Sequence, residues 1–160
     1  MAFATADLCD EHRYDVRTVC EEWRSYGGVE SFCGEVITVE LDESNPALVE
    51  LLRDTEGRGR VVVVDVAKAY YAVVGDNLMK FAHDNGWAGI VINGYVRDTK
   101  ITRTIPVGLK AIGTSPRKSF KKSQAHLGVE LHFGDTTIKS GDYLYADEDG
   151  VIVTTKPIES

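Results

Sequence analysis

Hydrophobic and polar positions follow one rhythm before Pro106 and another after it. From Gly34, EVITVEL alternates β-branched residues with acids, as a half-buried strand does. RVVVVDV and WAGIVING are apolar on both faces and read as central strands. Asn45-Pro46 opens a helix over ALVELLRDT, because Asn caps free amides and Pro fits the first helical position. Asp76 or Asn77 caps another helix through Leu78, Phe81 and Ala82, which Asn85-Gly86 closes in a left-handed turn. Nearer the start, Thr5 or Asp7 caps a short first helix, and an amphipathic stretch over residues 14–23 ends at Gly27-Gly28. Beyond Pro106 the segments VGLKAIG, VELHF, DTTIKSGDYLYAD and GVIVTT are strand-like and separated by Gly-Asp or Asp-Gly turns. Strand, helix, strand with short connections predicts a parallel crossover, in which ligands favour the carboxyl ends of the strands. The expected fold is α/β with a β-rich second half, one domain over residues 1–160.

Composition narrows the function classes. The chain has 160 residues, 43% hydrophobic and 27% charged, enough to bury a core without disulfides. A formal charge of -7 disfavours direct binding to nucleic acid or anionic lipid. Cys9, Cys20 and Cys33 suit neither a zinc knuckle nor paired disulfides, so reduced thiols are expected. The start carries acids where a signal peptide would be apolar, and the aliphatic run 61–64 stops at Asp65, far short of the roughly 20 residues that span a bilayer. A soluble, cytoplasmic protein with no membrane partner is the expectation. The charge is uneven: residues 1–56 hold 14 acids and 4 bases, whereas residues 97–122 hold 8 bases and one acid, Asp98.

Two short segments carry candidate chemistry. Gly75, Asp76, Asn77 and Leu78 stand where a strand or loop becomes a helix, and the first amides of a helix have no internal acceptors. Such a terminus receives a carboxylate or phosphate, with Gly75 letting it approach the backbone. Arg97-Asp98 follows the strand GIVING-YV. There the guanidinium is suited to a 2-keto acid's carboxylate or enolate oxygen, and the carboxylate to a hard divalent cation. Twenty residues separate Asp76 from Arg97, about the length of a crossover that returns the chain to the same pocket.

The segments LCDEH, SFCGEVITV, GRGRVVVVD, NGWAGIVINGYVRD and SGDYLYADEDGVIV, with the Asp76 to Arg97-Asp98 spacing, resemble the regulators of ribonuclease E activity A and the related 4-hydroxy-4-methyl-2-oxoglutarate aldolases. The resemblance implies a swivelling β/β/α-type sandwich, as in phosphohistidine domains, assembled as a homotrimer. It implies a lyase that cleaves 2-keto acids through a pyruvate enolate, as an aldolase and oxaloacetate decarboxylase. On that pattern Gly75, Asp76, Asn77, Leu78 and Arg97 contact substrate, Asp98 ligates magnesium or manganese, and Arg97 and Asp76 are catalytic. Arg97 would then stabilise the developing charge, and a metal-bound water oriented by Asp76 is the expected proton carrier. The regulator branch implies instead a protein partner in RNA processing, bound without catalysis. Two departures stand out: residues 66–71 read VAKAYY where relatives are Gly-rich, and Ile101 occupies a position where aldolases carry an acid.

Other features read as structural. Arg117, Lys118, Lys121 and Lys122 around Phe120 form a solvated basic loop. The four histidines lack metal-ligand spacing, and Asp142, Asp147 and Asp149 lack the pattern of a calcium loop. No nucleotide or serine-hydrolase motif is present, nor a Gly-rich cofactor loop of the kind a methyltransferase needs.

Overall fold

The computed structural model describes residues 2–122 and 124–158. In chain order the elements are α1 (Thr5–Glu11), β1 (Arg17–Thr18), β2 (Arg24–Ser25), β3 (Phe32–Leu41), α2 (Pro46–Asp54), β4 (Val61–Asp65), β5 (Ala72–Val74), α3 (Asp76–Asp84), β6 (Gly89–Asn93), β7 (Tyr95–Val96), α4 (Thr99–Thr102), β8 (Gly108–Ala111), β9 (Gly113–Thr114), β10 (Ala125–Leu127), β11 (Leu131–Phe133), β12 (Thr136–Ile138), β13 (Tyr143–Asp147) and β14 (Gly150–Thr154).

One mixed sheet runs β1-β14-β13-β3-β4-β6-β8-β2, with β10 also on β3. Its centre, β3-β4-β6-β8, is parallel and its flanks are antiparallel. β3 is long enough to belong to two layers. Residues 32–35 pair with β13 and residues 36–40 with β4, so the sheet curls along it. The alternating valines of β4 then face two cores. Val62 and Val64 pack under α2 and α3 with Leu48, Leu52 and Met79. Val61 and Val63 pack toward β13 and β14 with Phe32, Leu144 and Val151. All four are fully buried, so this strand is apolar on both faces. Phe32 closes the second core against Gly89 and Gly108, where a Cβ would fall 2.4 and 2.1 Å from its ring.

Three expectations need correction. Residues 14–23 are not helical. Arg17 and Thr18 instead pair with β14, and the chain continues to β2 on β8, because these sheet edges supply backbone partners that outweigh a weak helical rhythm. Ala4 rather than Thr5 or Asp7 is the N-cap of α1, and Gly75 rather than Asp76 or Asn77 that of α3. Asn45 and Pro46 do open α2, but the Asn45 side chain donates across to the Val73 carbonyl at 2.6 Å instead of capping the helix. The third correction is to GIVING-YV, which breaks at Gly94. β6 stays in the large sheet and β7 leaves it to join a second, three-stranded parallel sheet, β5-β7-β9.

No helix among the described residues is long and apolar enough to cross a membrane. The three cysteines are free thiols.

Candidate functional site

The small sheet builds the site. In it Ala72 pairs with Tyr95 and Val74 with Val96, and the next residue's amide, Arg97 N–H, donates to the Val74 carbonyl at 2.9 Å. The carboxyl ends of two adjacent parallel strands therefore deliver Gly75 and Arg97-Asp98 side by side. Met79 N–H donates back to the Gly75 carbonyl at 3.2 Å, starting α3 at the strand's end. All six residues singled out in the sequence line one cavity of about 220 Å³. That is below the range for drug-sized ligands and suits a small metabolite.

Asp98 occupies the left-handed region at φ 59°, unusual for a residue with a side chain. Its carboxylate accepts the Asp76 N–H at 3.3 Å, through Oδ2. Gly75 explains how it fits, since a Cβ there would lie 2.6 Å from that oxygen. Gly75 itself is extended, at φ -138°, so space rather than backbone freedom requires the glycine. The expected use of this glycine, close approach of a ligand, is thus met first by the chain's own carboxylate. Asp76 in turn accepts the Asn77 N–H at 2.9 Å and lies 3.6 Å from Lys80. Two amides at the start of α3 are engaged by internal carboxylates, so Arg97 supplies the positive charge toward the cavity. Its guanidinium donates to the Pro116 carbonyl at 3.4 Å, and no carboxylate among the described residues lies within ion-pair distance of it.

Among the described residues no three His, Cys, Asp or Glu side chains cluster to enclose a metal ion. Ile101, on the turn after Asp98, is exposed and adds no ligand. Magnesium, however, keeps several waters and needs only one or two protein carboxylates when a ligand supplies further oxygens. The exposed Asp98 carboxylate, held beside a cavity, fits a cation shared with an oxyanionic ligand.

The cavity includes two residues the sequence reading missed. Asn45 arrives because its side chain ties the start of α2 to β5. Lys118 arrives because the segment after β9 runs beside β5, with Ala72 N–H donating to the Arg117 carbonyl at 2.8 Å. The basic loop is therefore not simply solvated. Lys118 lines the cavity, and Lys121 pairs with Asp42 and Glu43 at 3.0 and 3.2 Å. Only the long-range contact with β5 reveals this, and no local pattern carries it.

Known proteins match this chain over nearly its whole length. Residues 5–153 match the family described as RraA-like, Aldolase/RraA. A protein of Alkalilimnicola ehrlichii named "Putative 4-hydroxy-4-methyl-2-oxoglutarate aldolase" is 44% identical over 154 residues, covering 96% of this chain and 95% of its own. One of Dechloromonas aromatica with the same name is 39% identical over 163 residues, covering 99% of each. Among solved structures, the Thermus thermophilis protein described as the RNA-processing inhibitor RraA superposes with a TM-score of 0.93 at 34% identity, over 100% of this chain and 97% of that one. A Geobacillus kaustophilus structure described as an S-adenosylmethionine: 2-dimethylmenaquinone methyltransferase also gives 0.93, at 37% identity over 98% and 97%.

Proposed function

This chain belongs to the RraA-like family, and from that premise we propose that it is a lyase of 2-keto acids, cleaving 4-hydroxy-4-methyl-2-oxoglutarate and decarboxylating oxaloacetate through the enolate of pyruvate. The observation that carries the proposal is the convergence of Gly75, Asp76, Arg97 and Asp98 at the ends of two hydrogen-bonded parallel strands, in one small cavity. The names borne by the relatives support the aldolase assignment.

In both reactions the C3–C4 bond breaks and its electron pair stays on C3, delocalised toward the 2-keto oxygen. Aldol cleavage turns the C4 hydroxyl into a carbonyl and releases its proton. Decarboxylation releases C4 as carbon dioxide. In either case C3 then takes a proton and pyruvate results. A divalent cation such as magnesium or manganese, held by Asp98, supplies Lewis acidity toward the substrate's carboxylate and keto oxygens. Arg97, half-buried and unpaired, meets the charge that develops on the keto oxygen. The cavity's partial exclusion of water strengthens that interaction. Asp76, fixed by the Asn77 amide and Lys80 at the cavity wall, orients the water that relays the proton.

The test is pyruvate release from both substrates with added magnesium. Replacing Arg97 by alanine should lower kcat by about 10²–10³-fold, the usual loss when an oxyanion-stabilising donor is removed. Equal turnover in wild type and Arg97→Ala would overturn the assignment. The similarity to the Thermus inhibitor favours a second reading, in which the chain restrains an RNA-processing enzyme by surface contact. The same variant separates the two. Inhibition of a ribonuclease that survives Arg97→Ala, in a chain without turnover, would establish the regulator reading.

A further inference from the structure

Two cations face the cavity, and neither has a carboxylate partner among the described residues. One is Arg97. The other is Lys118, half-buried, whose ammonium lies 5.1 Å from the centre of the Phe120 ring. Lys121, three positions further on, instead holds two acids and points away from this role. Two cations that line one small cavity without an acid partner suit a ligand with two anionic ends. The lining also includes the apolar side chains of Val49, Val73, Leu78 and Phe81, which suit a short carbon spacer.

We infer that Lys118 is a specificity-determining residue that binds the distal carboxylate of a 2-keto dicarboxylate, the one on the half that departs. The inference rests on the lyase reading of the same cavity. Arg97 holds the pyruvyl half and Lys118 the other end. A lysine suits the second role, since its compact charge on a flexible stem follows a leaving group as it moves.

The two reactions treat that distal carboxylate differently. In aldol cleavage it persists, becoming the carboxylate of the second pyruvate, so Lys118 holds it from substrate through product. In decarboxylation it is the group that becomes neutral carbon dioxide, so Lys118 stabilises the ground state and loses its partner in the transition state. Lys118 therefore favours aldol cleavage over decarboxylation.

The experiment compares wild type, Lys118→Met and Lys118→Arg with magnesium present, and confirms folding by thermal denaturation. For 4-hydroxy-4-methyl-2-oxoglutarate, Lys118→Met should lose about 10–100-fold in kcat/KM, the range expected for one hydrogen bond to a charged group. Lys118→Arg should recover most of it. For oxaloacetate, KM should rise while kcat holds or increases. Calorimetric titration gives a readout independent of turnover: Lys118→Met should weaken 2-oxoglutarate binding and leave pyruvate binding within about twofold. An unchanged preference for the dicarboxylate in Lys118→Met would overturn the inference even in an active lyase. So would equal losses in both reactions, or a wild type without such a preference. Conversely, a Lys118-dependent binding preference in a chain without turnover would overturn the lyase reading, and with it the role of Lys118 in choosing between the reactions, while its contact with the distal carboxylate would stand.

Discussion

Gly75 and Asp98 depend on each other through less than a side chain's width of space. A methyl group at position 75 would press into the Asp98 carboxylate, whose exposed side chain can give way only by rotating from its present place. Gly75→Ala is therefore expected to swing that carboxylate away from the Asp76 amide while leaving both strands paired. Activity with magnesium, and manganese affinity measured by calorimetry in the presence of pyruvate, should each fall by about 10–100-fold, as when a group that orients a metal ligand is lost. Thermal stability should change little. Retained manganese affinity would show that Asp98 has another resting place. At this scale the sequence was partly legible. The identities and the 20-residue spacing marked residues that do converge on one cavity, but the purpose of the glycine depends on a neighbour 23 positions later.

Among the elements, α1 is secured by one acid. Asp147, at the end of β13, accepts from both the backbone N–H and the hydroxyl of Thr5, each at 2.7 Å, and from the Asp149 N–H at 3.0 Å. Burial pushes its carboxyl upward, but these donors outweigh burial and hold it below the usual carboxylate range. A depressed carboxyl contributes its stabilisation above the unfolded-state value of about 4 and loses it as pH falls through the lower folded value. Thr5→Val should cost about 1–2 kcal/mol near neutrality by removing one of the two donors on Asp147 Oδ1, a hydrogen bond to a charged group. The deficit should narrow toward about pH 3, where the carboxylate is being neutralised in both chains. Urea denaturation at the two pH values measures this, and a constant deficit would contradict it. The long strands were legible because EVITVEL and RVVVVDV carry their burial pattern locally. Two-residue strands such as Arg17–Thr18 carry no period at all, and only their partner on β14 defines them. The break at Gly94 was hidden for a similar reason, since IVINGYV reads as one apolar run although its two ends serve different sheets.

For the whole molecule, the uneven charge is distributed between surface and interior. Lys110, one of the 8 bases in residues 97–122, is only 2% exposed on β8. Its pairing with Val91 turns it toward the second core. Burial holds its amine below the ordinary lysine value, against the opposing pull of Asp147, Glu30 and other nearby acids. The unfolded chain thus binds that proton more tightly, and stability gains as pH rises through the lowered value. Lys110→Met should stabilise the fold by about 1–2 kcal/mol at neutral pH, with an advantage that shrinks toward about pH 10. Thermal denaturation at both pH values tests it, and destabilisation at neutral pH would show the acids to matter more than burial. The net charge alone gave none of this, because it does not say which cations are buried, paired or facing a cavity. The two-sheet arrangement has one last consequence, for the history of the fold. Arg97 and Gly75 stand at the ends of paired strands, whereas Lys118 rides on an irregular segment after β9 that a backbone bond from Ala72 to Arg117 ties to β5. Bond-breaking machinery and substrate choice are thus inherited on separate pieces of chain. Descendants could acquire new substrates by rewriting a few loop positions, with the reaction itself carried along unaltered.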